Sequence, residues 1–131
     1  MLRFVLTVLA YLIPTFALGF VWHLKLFEAT YRELRIYREG VIIPFGFGSM
    51  LIQGLVFAVA YPRLVPDPPV IACGLVFAGA AAILSWSFTT LAVAAKYPMS
   101  SVRRFVAIET AFTAIQFLLV GPLLALAARV G

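Results

Sequence analysis

Charge is scarce in this chain. Only 11% of its 131 residues are Asp, Glu, Lys or Arg, against about a quarter in ordinary soluble domains. With 64% hydrophobic residues and a mean hydropathy of +1.09, water cannot be its main solvent, and little length is left for a separate water-soluble core. Cysteine is almost missing. Cys73 stands alone, which excludes an intramolecular disulfide and a paired CxxC redox or metal site, and it reads as a small buried hydrophobe. Histidine also occurs once, at His23. A lone imidazole does not build a metal site, and Glu28 and Glu109 could at most add carboxylates to it. HExxH, GxSxG and P-loop patterns do not occur, so no catalytic residue, metal or cofactor is expected.

What the chain does have is long apolar runs. Phe4 to Trp22 is free of charge and, at about 1.5 Å per residue, crosses most of a hydrocarbon core roughly 30 Å thick. Arg3 ahead of that run and the small residues of Ala17-Leu18-Gly19 also fit a signal peptide, but a first transmembrane helix over 4–22 is the reading we take. Val41 to Tyr61 and Pro68 to Ala95 are further uncharged runs, and Phe105 to Ala128 carries a single charge, Glu109. Only helices or a closed barrel satisfy the backbone in lipid, and runs of this length require helices. The expected fold is therefore an all-α membrane protein of four transmembrane helices, over 4–22, 41–61, 70–95 and 105–128. Short connections predict an up-down-up-down bundle forming one integral membrane domain. Four prolines between Pro62 and Pro69 predict a stiff turn there, whereas Pro14, Pro44 and Pro122 fall inside runs where membrane helices tolerate kinks.

The first connection is unlike the others. Over 24–39, Leu24, Phe27, Tyr31 and Leu34 fall on one helical face and Glu28, Arg32, Arg35 and Glu39 on another, which predicts an amphipathic helix lying in the membrane surface. Glu28 and Arg32 stand at i,i+4, a pairing of only a few tenths of a kcal/mol, so the apolar face would hold the helix in place. Lys25, Arg32, Arg35 and Arg38 in this connection, with Lys96, Arg103 and Arg104 in the third, outnumber Arg3, Arg63 and Arg129 on the other side. That asymmetry predicts a multi-pass protein of a cell inner membrane with both termini periplasmic. The net charge of +5 thus reflects topology. It forms no basic face interleaved with stacking aromatics, and nucleic acid is not an expected partner.

An ionisable side chain inside an apolar run is a functional candidate by default, and Glu109 is the sharpest one here. Thr113 and Gln116 follow at i+4 and i+7, placing three polar side chains on one face. His23 at the same end of the bundle, and Gln53 in the second run, could join them. The alternative is that Glu109 pairs with His23 or a nearby base and simply ties helices together. Gly46, Gly48 and Ser49, flanked by Phe45 and Phe47, suggest close helix approach, a bend in the second helix, or a notch for a lipid or quinone-like ring. Gly74, Ala78 and Ala82 recur every four residues as a packing stripe, with Ala81, Ser85 and Thr89 as a parallel row.

The stretch GFVWHLKLFEATYRELRIYREGVIIPFGFGSMLIQG from Gly19, followed by FAVAYPRL, resembles a group of uncharacterised small four-helix bacterial inner-membrane proteins. Through Gly19, Trp22, Phe27 and Tyr31 it is also distantly similar to the DUF1761 type. The resemblance covers about the first half of the chain and implies architecture without an activity. Taken together, the expectation is a non-enzymatic membrane component, an accessory or scaffolding subunit surrounded by membrane lipids and packed against a protein partner or its own copies. A proton-coupled carrier using Glu109 and a binder of a hydrophobic ligand are the alternatives.

Overall fold

The structure, a computed structural model, describes residues 1–37, 42–65 and 70–130. All regular structure among them is helical. The helix α1 (Leu2–Val21) runs directly into a π-helical turn (Trp22–Leu26) and is followed by the short α2 (Glu28–Leu34) and the long α3 (Ile43–Leu64). Next come α4 (Ile71–Trp86), a second π-helical segment (Ser87–Ala92), the single turn α5 (Val93–Lys96) and α6 (Val102–Ala128). Four helical stretches are long and apolar enough to cross a membrane: Leu2–Leu26, Ile43–Leu64, Ile71–Lys96 and Val102–Ala128.

The amphipathic stretch differs from expectation. Instead of one helix over 24–39, the first span continues to Leu26, and the chain bends at Phe27 (φ −117°, ψ 22°). Only Glu28–Leu34 is then helical, ending on Arg35 in the left-handed region at φ 58°. Residues 38–41, and with them Arg38 and Glu39, lie outside the described residues. The expected apolar face is not turned to lipid either. Tyr31 and Leu34 are buried with Trp22 and Phe105 in a cluster flanked by Phe27, Phe112 and Met99. Ser100 secures this arrangement, its N–H donating to the Leu34 carbonyl (3.0 Å) and its hydroxyl to that of Glu33 (2.7 Å). Apolar side chains packed against α6 are removed from water, which favours this placement. The expected stop at Pro62 also shifts: α3 passes through Pro62 to Leu64, because a proline in a last turn breaks few ladder bonds. The turn beyond it, 66–69, is outside the described residues.

Packing centres on α6. Half of its apolar window is buried inside the protein, against 11% for α3 and for α4. It lies between α1 and α4, and α1 in turn carries α3. Contacts between α1 and α6 run in opposite sequence order, from Arg3 on Val130 to His23 on Glu109, so the two are antiparallel. The helices α3 and α4 meet through side chains at one end, where Phe57 and Tyr61 pack edge-on against Phe77. Ser101 caps α6 by accepting from the Arg104 N–H (3.2 Å).

The stripe on α4 is a true contact surface. A Cβ on Gly74 would collide with the Gly121 carbonyl oxygen and lie 3.0 Å from the Ala125 Cβ, and one on Gly121 would sit 3.2 Å from the Ala78 Cβ. Ala78 is buried, and Ala82 packs partly buried against the same core. Helices that share a lipid-like surround gain contact by letting backbones approach, and only small residues permit it. Gly46 and Gly48 behave differently. An added Cβ at either would meet nothing within 4 Å, so within this chain neither makes the close helix approach expected of it. Gly74→Ala should therefore destabilise the fold by about 1–3 kcal/mol through overpacking, while Gly48→Ala should be neutral or better. SDS-driven unfolding in mixed micelles measures both, and equal stabilities would overturn this account of the α4–α6 contact.

Candidate functional site

The α2 end of the bundle holds a buried polar cluster, and the local backbone explains why. The π-helical turn, marked by the Phe27 N–H bonding the Trp22 carbonyl (3.0 Å), widens the end of α1 so that Trp22 and His23 both turn toward α6. Such π segments concentrate at functional positions because they re-aim side chains. Glu109 sits about two turns into α6 and is only 6% exposed. Tyr31 donates a hydrogen bond to its Oε1, and Tyr31 in turn accepts from the Trp22 indole N–H (3.1 Å). His23 Nε2 lies 3.3 Å from the same oxygen, and the Tyr37 hydroxyl donates to it at 3.4 Å. The other ring nitrogen of His23 faces the Gly19 carbonyl at 3.1 Å. Rings complete the enclosure: His23 lies 4.6 Å from Tyr31 and 4.8 Å from Phe112, centroid to centroid.

A second polar layer lies deeper. Gln116 donates to Thr15 (3.1 Å) and Tyr11 (3.4 Å), Tyr11 donates to Gln53, and Gln53 reaches Ser49 at 3.4 Å. Both layers face one cavity of about 980 Å³ whose apolar walls include Phe16, Phe20, Phe47 and Met50. Thr113, 7% exposed, lines it one helical turn from Glu109. The structure thus brings all five expected polar residues, His23, Gln53, Glu109, Thr113 and Gln116, to a single cavity. His23 and Glu109 touch, and Gln53 and Gln116 are bridged by Tyr11. Gly46 also lines the cavity, while Gly74, Ala78 and Ala82 lie away from it in the α4–α6 contact. Among the described residues no group of three or more His, Cys, Asp or Glu is placed to hold a metal.

Tyr31, Tyr37, Trp22, Tyr11 and Thr15 belong to the site but were not among the residues the sequence pointed to. A signal was there for two of them. Tyr11, Thr15, Gly19 and His23 recur every four residues along α1, a polar stripe that answers Glu109, Thr113 and Gln116 in antiparallel order. Tyr31 gave the opposite signal, counting toward an apolar face. A smaller cavity of about 490 Å³ lies at the other end, lined by Arg3, Tyr61 and Arg63 among others. Its arginines are already turned to carbonyls, Arg3 to Val130 and Arg63 to Val59. The chain matches no protein-family model, no curated protein and no solved structure.

Burial, followed by the hydrogen bond to the Glu109 carboxylate, raises the Tyr31 phenol well above its ordinary value. A folded-state pKa raised in this way gives stability that is fully present below the unfolded phenol value of about 10 and lost as pH rises beyond it. Tyr31→Phe should cost about 1–2 kcal/mol at neutral pH and flatten the alkaline loss of stability above pH 10. Unfolding followed by Trp fluorescence across pH 7–11.5 tests both. A variant as stable as the parent, with the same alkaline profile, would show that this bond contributes nothing.

Proposed function

We propose that this chain is a four-pass inner-membrane protein that holds a lipophilic molecule, ring-bearing or long-chained, in the cavity at its α2 end. The observation that carries the reading is one cavity lined both by aromatic rings and by the buried Glu109 and Tyr31 with the half-buried His23. Its size, about 980 Å³, is at the upper end of small-molecule sites, which combine apolar walls with a few convergent polar groups. Phe47 and Met50 of α3 and Ser85 and Thr89 from the α4 side all border it, while Phe57, Tyr61 and Phe77 close the gap between those helices at the far end. A ligand would then enter sideways from the lipid between α3 and α4. A purely scaffolding subunit has no need of a buried carboxylate facing open space, so ligand binding explains more than the accessory role does. A protein partner or second copy would sit on the little-buried flanks of α3 and α4.

In this reading the four spans cross up-down-up-down. The α2 segment rides at the interface, Glu28 and Arg32 paired on its exposed side at 2.6 Å and Tyr31 and Leu34 turned inward. Orientation follows from charge. Glu33 pairs with Arg104 at 3.2 Å, so the first and third connections lie at one end, with Lys25, Arg32, Arg35, Lys96, Arg103 and Arg104 near it. Arg3 and Val130 meet at the other end. The lysine- and arginine-rich end is then cytoplasmic and the termini periplasmic. Kinship with uncharacterised four-helix inner-membrane proteins is part of the same proposal.

Gly46 lines the cavity and nothing lies within 4 Å of an added Cβ there, so Gly46→Phe puts a ring on the cavity wall from a position with room for its first carbon. Protein purified in nanodiscs from native membrane should carry a bound lipophile by native mass spectrometry, and Gly46→Phe should lose it while keeping the parent's stability. Identical lipid content in both proteins would remove the ligand-binding reading.

A further inference from the structure

We propose that the molecule held in this cavity has an uncharged hydroxyl head, which donates to Glu109 Oε2 and accepts from the Thr113 hydroxyl. The inference rests on the lipophile-binding reading and specifies its chemistry. All three neighbours of Glu109, the hydroxyls of Tyr31 and Tyr37 and the ring of His23, converge on Oε1. Among the described residues no side chain bonds Oε2, although the residue is 94% buried, being 6% exposed, and lines the cavity. A buried carboxylate oxygen facing a cavity is an acceptor awaiting a donor.

Thr113 supplies the complementary half. It lies one turn along the same face of α6, is 7% exposed, lines the same cavity, and has no hydrogen-bond partner among the described residues. Its hydroxyl can donate or accept. The deeper layer does not compete, since Tyr11, Thr15, Gln53 and Gln116 are bonded to one another.

Charge selects among donors. An anionic head would meet Glu109 itself. A cationic head would meet Arg35, which lines the cavity, while Arg32 there is already engaged by Glu28. A hydroxyl carries no charge and both donates and accepts, matching Oε2 and Thr113 together. The apolar body then lies along Phe16, Phe20 and Phe47. A site built to bond a hydroxyl rejects the analogue lacking it strongly, because its own polar atoms are left unpaired.

The test uses the full chain in nanodiscs carrying Trp86→Phe, so that Trp22 beside the site reports binding. Three probes are compared at equal mole fraction in the bilayer: para-dodecylphenol, its methyl ether, and para-dodecylbenzylamine. The phenol should bind about tenfold or more tightly than either of the others. Glu109→Gln turns an acceptor into a donor and should bring the ether level with or ahead of the phenol. Thr113→Val, which leaves the carboxylate's own partners in place, should weaken the phenol several-fold. Equal binding of phenol and ether by the parent protein, or preference for the amine, would overturn the hydroxyl assignment and leave a lipophile site standing. Failure of all three probes to bind would overturn both.

Discussion

A carboxylate taken out of water must be given partners, and in this protein that requirement organises one end of the molecule. A charged side chain at the centre of an apolar span costs about 2.5–3.5 kcal/mol or more to insert, and Glu109, about two turns into α6, meets part of that cost. The cost is offset here by a phenol, an imidazole and a second phenol gathered on one oxygen of Glu109. The partners come from the end of α1, from α2 and from the segment that follows it. His23 requires the π-helical turn at the end of α1, and Tyr31 requires α2 to lie on α6 and not on the bilayer surface. The arrangement is asymmetric, since all three partners gather on one carboxylate oxygen of a residue that also lines the cavity.

Packing elsewhere follows a different rule. Between α4 and α6 the helices approach until backbone meets Cα, with Gly74 against Gly121 and Ala78 and Ala125 beside them. There the fold gains van der Waals contact that lipid cannot match. Around the cavity the spacing is wider, and aromatic rings and amide side chains take the place of methyl groups. Tight contact on one side of α6 and loose, polar contact on the other give that helix two roles, as a structural keel toward α4 and as the floor of a site toward α1.

Much of this was legible in the residues. The four apolar runs fall on the four helices long and apolar enough to cross a membrane, because hydrophobic length against bilayer thickness is a coarse and strong constraint. Glu109, Thr113 and Gln116 were visible as one face because helical spacing is rigid. The Gly74 and Ala78 stripe was visible for the same reason. What periodicity could not supply was the shape of the first connection. An amphipathic pattern is equally satisfied by lipid and by protein, and Tyr31 and Leu34 turned out to face protein. Nor does periodicity distinguish a glycine that admits a neighbour from one that borders open space, and Gly74 and Gly46 differ in that respect alone. The π-helical segments were out of reach too, since a single widened turn leaves almost no mark on composition.

The order in which the chain is made gives α6 a further significance. The helix with the largest buried share is translated after all the others that lean on it. Because Glu109, Thr113 and Gln116 of α6 line the cavity, its polar wall is complete only once this last long helix is in place.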